Sequence, residues 1–193
     1  MYRLFYEVVT DSERDRVRCL KAVESVDLKS FTPVLNDDGH DVIFNGFSGV
    51  SGCSVMLDEF ETDLAKRYKL CGMLRMGENE DKSPHSDQSV TLSYSPDGIH
   101  WTPDKSNPVN NNTSDTLNKL FYNPQTGEYG VILRSAYVDR RISLKTSKDL
   151  KNWSEPELII HPSPSYNNGY SQTIPILYLN GRTQSLRISS ENS

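Results

Sequence analysis

Ser147-Lys148-Asp149-Leu150-Lys151-Asn152-Trp153 decides how this chain is read, because the pattern occurs three times. Ser25-Val26-Asp27-Leu28-Lys29-Ser30-Phe31 and Ser95-Pro96-Asp97-Gly98-Ile99-His100-Trp101 share its Ser-x-Asp-x-x-x-aromatic order, and a proline follows each copy closely, at Pro33, Pro103 and Pro156. A unit recurring every few tens of residues is the sequence signature of a repeat architecture. Ser and Asp side chains bond the backbone amides just beyond them, so each copy predicts a tight turn.

The residues before each copy alternate in polarity. Val17–Val23, Val90–Tyr94 and Ile142–Thr146 have the period of two expected of a strand with one buried face. A second strand beginning with tyrosine lies further upstream each time, at Tyr2–Tyr6, Tyr68–Cys71 and Tyr129–Arg134. Two units also open with an apolar strand, Cys53–Leu57 and Leu117–Tyr122; the first has none, since the chain starts at Tyr2. The aromatic of each copy is expected to restart the chain as an outer strand. The order strand, loop, strand, turn, strand predicts antiparallel four-stranded blades of a β-propeller. Their expected bounds are 1–35, 50–105 and 115–160, with a fourth unit opening at 168–182, where Tyr170–Leu179 alternates and meets the hairpin turn Asn180-Gly181. The chain is expected to be a single partial propeller domain, nearly all β. Leu57–Lys69 holds helix formers in a row, but its acidic middle reads as a solvated connection. Met76–Gln88 and Lys105–Ser114 read as polar surface loops.

Composition excludes several classes. The chain has 193 residues, 35% apolar content and a net charge of −5, with its 21 basic residues scattered, so nucleic acid is not an expected partner. No apolar stretch reaches about 18 residues, and Met1–Thr10 lacks the basic and apolar regions of a signal peptide; neither a membrane span nor a leader is expected, and the compartment stays open. Cys19, Cys53 and Cys71 are odd in number and lack CxxC spacing, so they read as small buried residues. His40, His85, His100 and His161 have no ligand spacing, and no metal or other cofactor is expected. Asn45–Gly52 is glycine-rich but lacks the lysine and helix of a phosphate loop, and reads as a flexible entry to an inner strand.

Ser147–Pro156 resembles the blade-closing turn of the five-bladed propeller glycosidases of families 32, 43, 62 and 68. Ser54–Asp58 followed by Arg67–Leu70, and Asp115–Asn118 followed by Phe121–Pro124, are similar to a little-characterised group near family 32. The resemblance implies five blades around a funnel, with carboxylates on the innermost strands of different blades, since glycosidic cleavage uses two carboxyl groups flanking one bond. Asp115, at the head of an inner strand, matches the second aspartate of such enzymes and is the candidate catalytic residue. Asn118, Arg134 and Tyr170 are candidates for binding sugar hydroxyls. Where a catalytic glutamate would stand, the sequence has Tyr170-Ser171-Gln172. The resemblance therefore implies a carbohydrate partner and a glycosidase-like protein that hydrolyses or binds a glycan. The alternative is a non-catalytic glycan-binding or structural propeller segment. Self-association through uncovered blades is expected. The Ser-x-Asp turns recur once per blade and read as structural, and Trp101 and Trp153 read as packing between blades.

Overall fold

The computed structural model describes residues 1–12, 15–45, 50–75, 88–111, 114, 117–134 and 141–160. They form three antiparallel sheets in chain order. In the first, β1 (Tyr2–Ser12) pairs along its whole length with β2 (Asp15–Ser25), whose other edge carries β3 (Thr32–Pro33) and β4 (Val42–Phe44). The second runs β5 (Val50–Leu57), β6 (Tyr68–Arg75), β7 (Gln88–Ser95) and β8 (Thr102–Pro103). The third runs β9 (Lys119–Asn123), β10 (Glu128–Arg134), β11 (Ile142–Ser147) and β12 (Glu157–Ile160). Among the described residues the α-helix is absent; Leu57–Lys69 contributes a single 3₁₀ turn at Leu64–Lys66, capped by the Asp63 carboxylate on the Ala65 amide. No described helix is long and apolar enough to cross a membrane.

The three Ser-x-Asp turns have one geometry. In each, the serine Oγ accepts from the amide three residues on (Leu28, Gly98 and Leu150, 2.8–2.9 Å). The aspartate Oδ1 accepts from the next two amides (Lys29 and Ser30; Ile99 and His100; Lys151 and Asn152, 2.8–2.9 Å). The residue after Asp is left-handed in all three, with φ of 60° at Leu28, 79° at Gly98 and 62° at Leu150. What stands there depends on what faces it. Leu28 is exposed, Leu150 is buried, and a Cβ at Gly98 would meet Arg3 and Phe5 of the first sheet at 2.9–3.0 Å.

The aromatics do not begin the outer strands. Strand pairing starts one residue after Phe31 and Trp101, and four after Trp153, because the chain must first leave the turn. Pro33 and Pro103 then occupy the second strand position, where they offer no N–H to a ladder. The outer edges of the first two sheets resume after excursions, at Val42–Phe44 and where Val109 N donates to Val90 O at 2.8 Å. The glycine-rich entry is also partly strand, since Val50–Gly52 belongs to β5 and the register shifts between Ser51 and Ser54.

Consecutive sheets pack face to face. Leu20, Ala22, Val34 and Ile43 of the first bury against Val50, Leu70 and Leu74 of the second, with Phe5, Phe44 and Trp101 beside them. Cys71, Met73, Val90 and Leu92 of the second bury against Leu120, Val131, Leu133 and Leu150 of the third, with Trp153 beside them. Trp101 and Trp153 thus pack between blades. His100 adds a surface tie, its ring nitrogens 2.6 Å from Asp97 and 2.9 Å from Asp37 of the neighbouring sheet. The expected hairpin at 168–182 lies outside the described residues, as do His85, His161 and positions 76–87 of the polar loop.

The turn carboxylates make the fold acid-sensitive. Backbone amides, Ser30 first for Asp27 and Asn152 first for Asp149, hold both carboxyls below the usual range. For Asp97 burial pushes upward, but hydrogen bonds from His100, Ile99 and Ser95 outweigh it and hold that carboxyl well below. A depressed folded pKa stabilises above the unfolded value of about 3.9 and is lost as pH falls through the folded value. The urea midpoint is expected to fall as pH drops below about 4, and to fall less in a D27N/D97N/D149N variant.

Trp101 supplies a second test. Its Nε1 is buried with no hydrogen-bond partner among the described residues, so the ring's packing is what stabilises. Trp101→Phe is expected to cost under about 1.5 kcal/mol and Trp101→Ala about 3–5 kcal/mol in denaturant titration.

Candidate functional site

Pairing register fixes two ends of every sheet. One end carries the Ser-x-Asp turns with Leu57, Tyr68 and Tyr129; the other carries Val50, Leu74, Lys119 and Arg134. The second end holds the heads of the inner strands β5 and β9, where the sequence places its candidate residues.

Inner strands are joined there by side chains as well as backbone. Asn118 is fully buried; its amide nitrogen donates to Gly52 O at 2.8 Å, and its Nδ2 donates to Gly52 O at 3.1 Å and Ser114 O at 3.3 Å. Ser54 Oγ donates to Asn118 O at 2.6 Å and accepts from Leu120 N at 3.0 Å. The bulge of β5 creates the opening for these bonds, because Gly52 leaves the ladder and turns its carbonyl toward β9. Arg134, half-buried at the end of β10, donates its amide to the buried Ser114 Oγ at 2.9 Å. Asn118 and Arg134 therefore meet at Ser114. Asp115 and Tyr170 lie outside the described residues.

Two groups at this end escaped the reading of the sequence. Glu7 of β1 accepts from Arg18 Nη1 at 2.9 Å and from Gly52 N at 2.8 Å, and Arg18 also donates to Ser51 Oγ at 2.8 Å. Opposite charges at Glu7 and Arg18, on two segments that run as consecutive strands, were the available signal. Lys119, next to Asn118, is half-buried, and desolvation pushes its ammonium pKa down. A charge following a buried amide at the head of an inner strand could have been flagged.

A larger polar cluster sits at the turn end, between the second and third sheets. Lys69 is fully buried, with its Nζ 2.9 Å from Asp58, 3.0 Å from Glu61 and 2.9 Å from Lys66 O. Tyr129 of β10 donates its hydroxyl to Asp58 at 2.7 Å, which links the two sheets. Burial pushes the Asp58 carboxyl up, but Lys69 and Tyr129 outweigh it and hold it below its usual range; Glu61 is lowered against burial by the Asp63 amide and Lys69. These carboxylates are ionised partners of a buried cation. Neither is poised to donate a proton.

The thiols are poor nucleophiles: burial raises Cys19 and Cys53 and pushes Cys71 up to about 12. Among the described residues, no group of three His, Cys, Asp or Glu is placed to hold a metal ion.

Antiparallel four-stranded sheets, stacked face to face in chain order, are blades of the β-propeller type. Among solved structures the chain is similar to the Bombyx mori GH32 β-fructofuranosidase, at 19% identity and a TM-score of 0.49, over 81% of this chain and 31% of that one. It is likewise similar to a mutant of that enzyme in complex with sucrose, at 20% identity and a TM-score of 0.45, with the same coverage. The chain thus spans about a third of that enzyme's length. No protein-family model and no curated protein matches the sequence.

The buried cluster makes a clear prediction. Lys69→Met leaves Asp58 and Glu61 without their cation and is expected to cost about 3–5 kcal/mol. Tyr129→Phe removes one hydrogen bond and is expected to cost about 1–2 kcal/mol. Urea unfolding monitored by circular dichroism measures both.

Proposed function

We propose that this chain is part of a carbohydrate-active propeller of the glycoside hydrolase type, and that it holds a glycan at the heads of the inner strands. The observation that carries this reading is the fixing of Ser114 and Asn118, on either side of Asp115 in sequence, to the adjacent blade: Asn118 donates to Gly52 O of β5, and the Ser114 amide donates to Met73 Sδ of β6 at 3.1 Å. A site assembled from unlike residues on successive blades needs such cross-blade registration, because misplacing a reacting group by about 1 Å can cost 10²-fold in rate.

In this proposal Asp115 accepts hydrogen bonds from sugar hydroxyls, and Arg134 and Tyr170 complete the polar wall. Asn118, fully buried, holds the head of β9 behind that face. Glycosidic cleavage needs two carboxyl groups about 5–10 Å apart across the bond. Glu7 is a carboxylate at this end, but its two oxygens are committed to Arg18 and the Gly52 amide. Binding is therefore favoured over hydrolysis for this chain by itself.

A glycan array, together with a panel of aryl pentosides, hexosides and fructosides, tests the reading. Retention on glycans that is lost in Asp115→Asn, without turnover, is the expected result. Turnover by the wild-type chain would show a complete catalytic pair, and absence of glycan binding would overturn the proposal.

A further inference from the structure

On the outer side of the second and third sheets lies a cleft of about 320 Å³. Pro108 and Val109 form one wall, from the returning part of the second sheet's outer edge; Lys145 of β11 and Lys151, Trp153 and Glu155 beyond it form the other. Arg3, Arg18, Lys21 and Lys69 each pair with a carboxylate. Lys145, Lys151 and Glu155 make no ion pair among the described residues, although they line one cleft.

Lys145 donates one N–H to Val109 O at 2.8 Å, which leaves two donors. Partial burial pushes its ammonium pKa down, with Glu155 opposing. Desolvation outweighs the attraction of Glu155, so part of the cost of burying this cation stays uncompensated, and an incoming anion offsets it. Two lysines against one glutamate leave the cleft net positive. Trp153 gives the apolar component, its ring held by packing on the core and by Nε1 donating to Leu150 O at 3.2 Å.

We propose that this cleft binds an anionic saccharide unit, a sugar ring carrying a carboxylate or a sulfate ester. The acidic group lies on Lys145 and Lys151, the ring lies against Trp153, and hydroxyls donate to Glu155. A ligand with an acid, an apolar ring face and hydroxyl donors satisfies all three chemistries at once. The volume is at the lower end of the range for small-molecule sites, about 300–1,000 Å³, and suits a short saccharide. That the ligand is a sugar rests on the carbohydrate reading above, but the cleft uses none of the inner-strand residues.

Isothermal titration with a digalacturonate, a monosulfated disaccharide, neutral lactose and inorganic sulfate tests the proposal, with the fluorescence of a Trp101→Phe variant reporting on Trp153. Binding of either acidic saccharide, weakened about tenfold or more by Lys151→Gln and unchanged in Asp115→Asn, is expected. Which of the two binds tells a carboxylate from a sulfate source. Lys151 is exposed, so its replacement leaves the fold intact. Equal affinity for lactose, equal affinity for sulfate alone, no effect of Lys151→Gln, or no binding of either acidic saccharide would overturn the proposal. Loss of binding in Asp115→Asn would move it to the inner-strand site and overturn the cleft assignment.

Discussion

A sheet with two apolar faces must be covered on both, and the second sheet shows how far that constraint reaches. Along β6, Leu70 and Leu74 face the first sheet while Cys71 and Met73 face the third, so the strand is buried continuously. Burying each large apolar side chain stabilises by about 1.5–3 kcal/mol. Gly72 takes its place in this run because a Cβ there would strike Cys53 of β5. The stack of sheets and the close approach of β5 to β9 follow from this one requirement.

The turns make stacking repeatable. Each reverses the chain with serine and aspartate side chains bonding four successive amides, the aspartate's own amide to the serine Oγ at 3.2–3.3 Å being the fourth, so the third strand always ends on the same face. The left-handed residue then reports its surroundings. Glycine stands where the first sheet presses close, leucine where the second sheet offers a core, and exposed leucine at Leu28. The same repeat leaves Tyr2, Leu4 and Tyr6 of β1 partly exposed on the first sheet's other face, an apolar stripe at a strand paired on one edge among the described residues.

Polar interactions buried between sheets differ in kind at the two ends of the stack. At the turn end, Lys69, Asp58, Glu61 and Tyr129 form a closed set whose partners are mutually satisfied, which suits a structural tie. At the inner-strand end, bonds from Asn118 and Ser54 run to backbone groups of the neighbouring blade. They fix position without using up the charges around them. The outer cleft is different again, since its lysines make no close ion pair among the described residues and its tryptophan is fixed.

The sequence by itself determined what short-range chemistry controls. Ser-x-Asp forms its turn from residues within four positions, and strands alternate because side chains alternate across a sheet; the repeat, the blade order and the packing role of Trp101 and Trp153 were legible for that reason. The position of the outer strands was less so, because prolines break the ladder and the chain resumes pairing only after excursions whose length no local rule sets. Tertiary structure alone decided which distant residues meet. Asn118 reads as a polar residue beside Asp115, yet its partners are Gly52 and Ser114; Glu7 finds Arg18 and Gly52; Lys69 finds Tyr129 from another blade. Burial turns such a charge into a partner-dependent group, and the partner is supplied by the stacking of sheets rather than by neighbours in the chain.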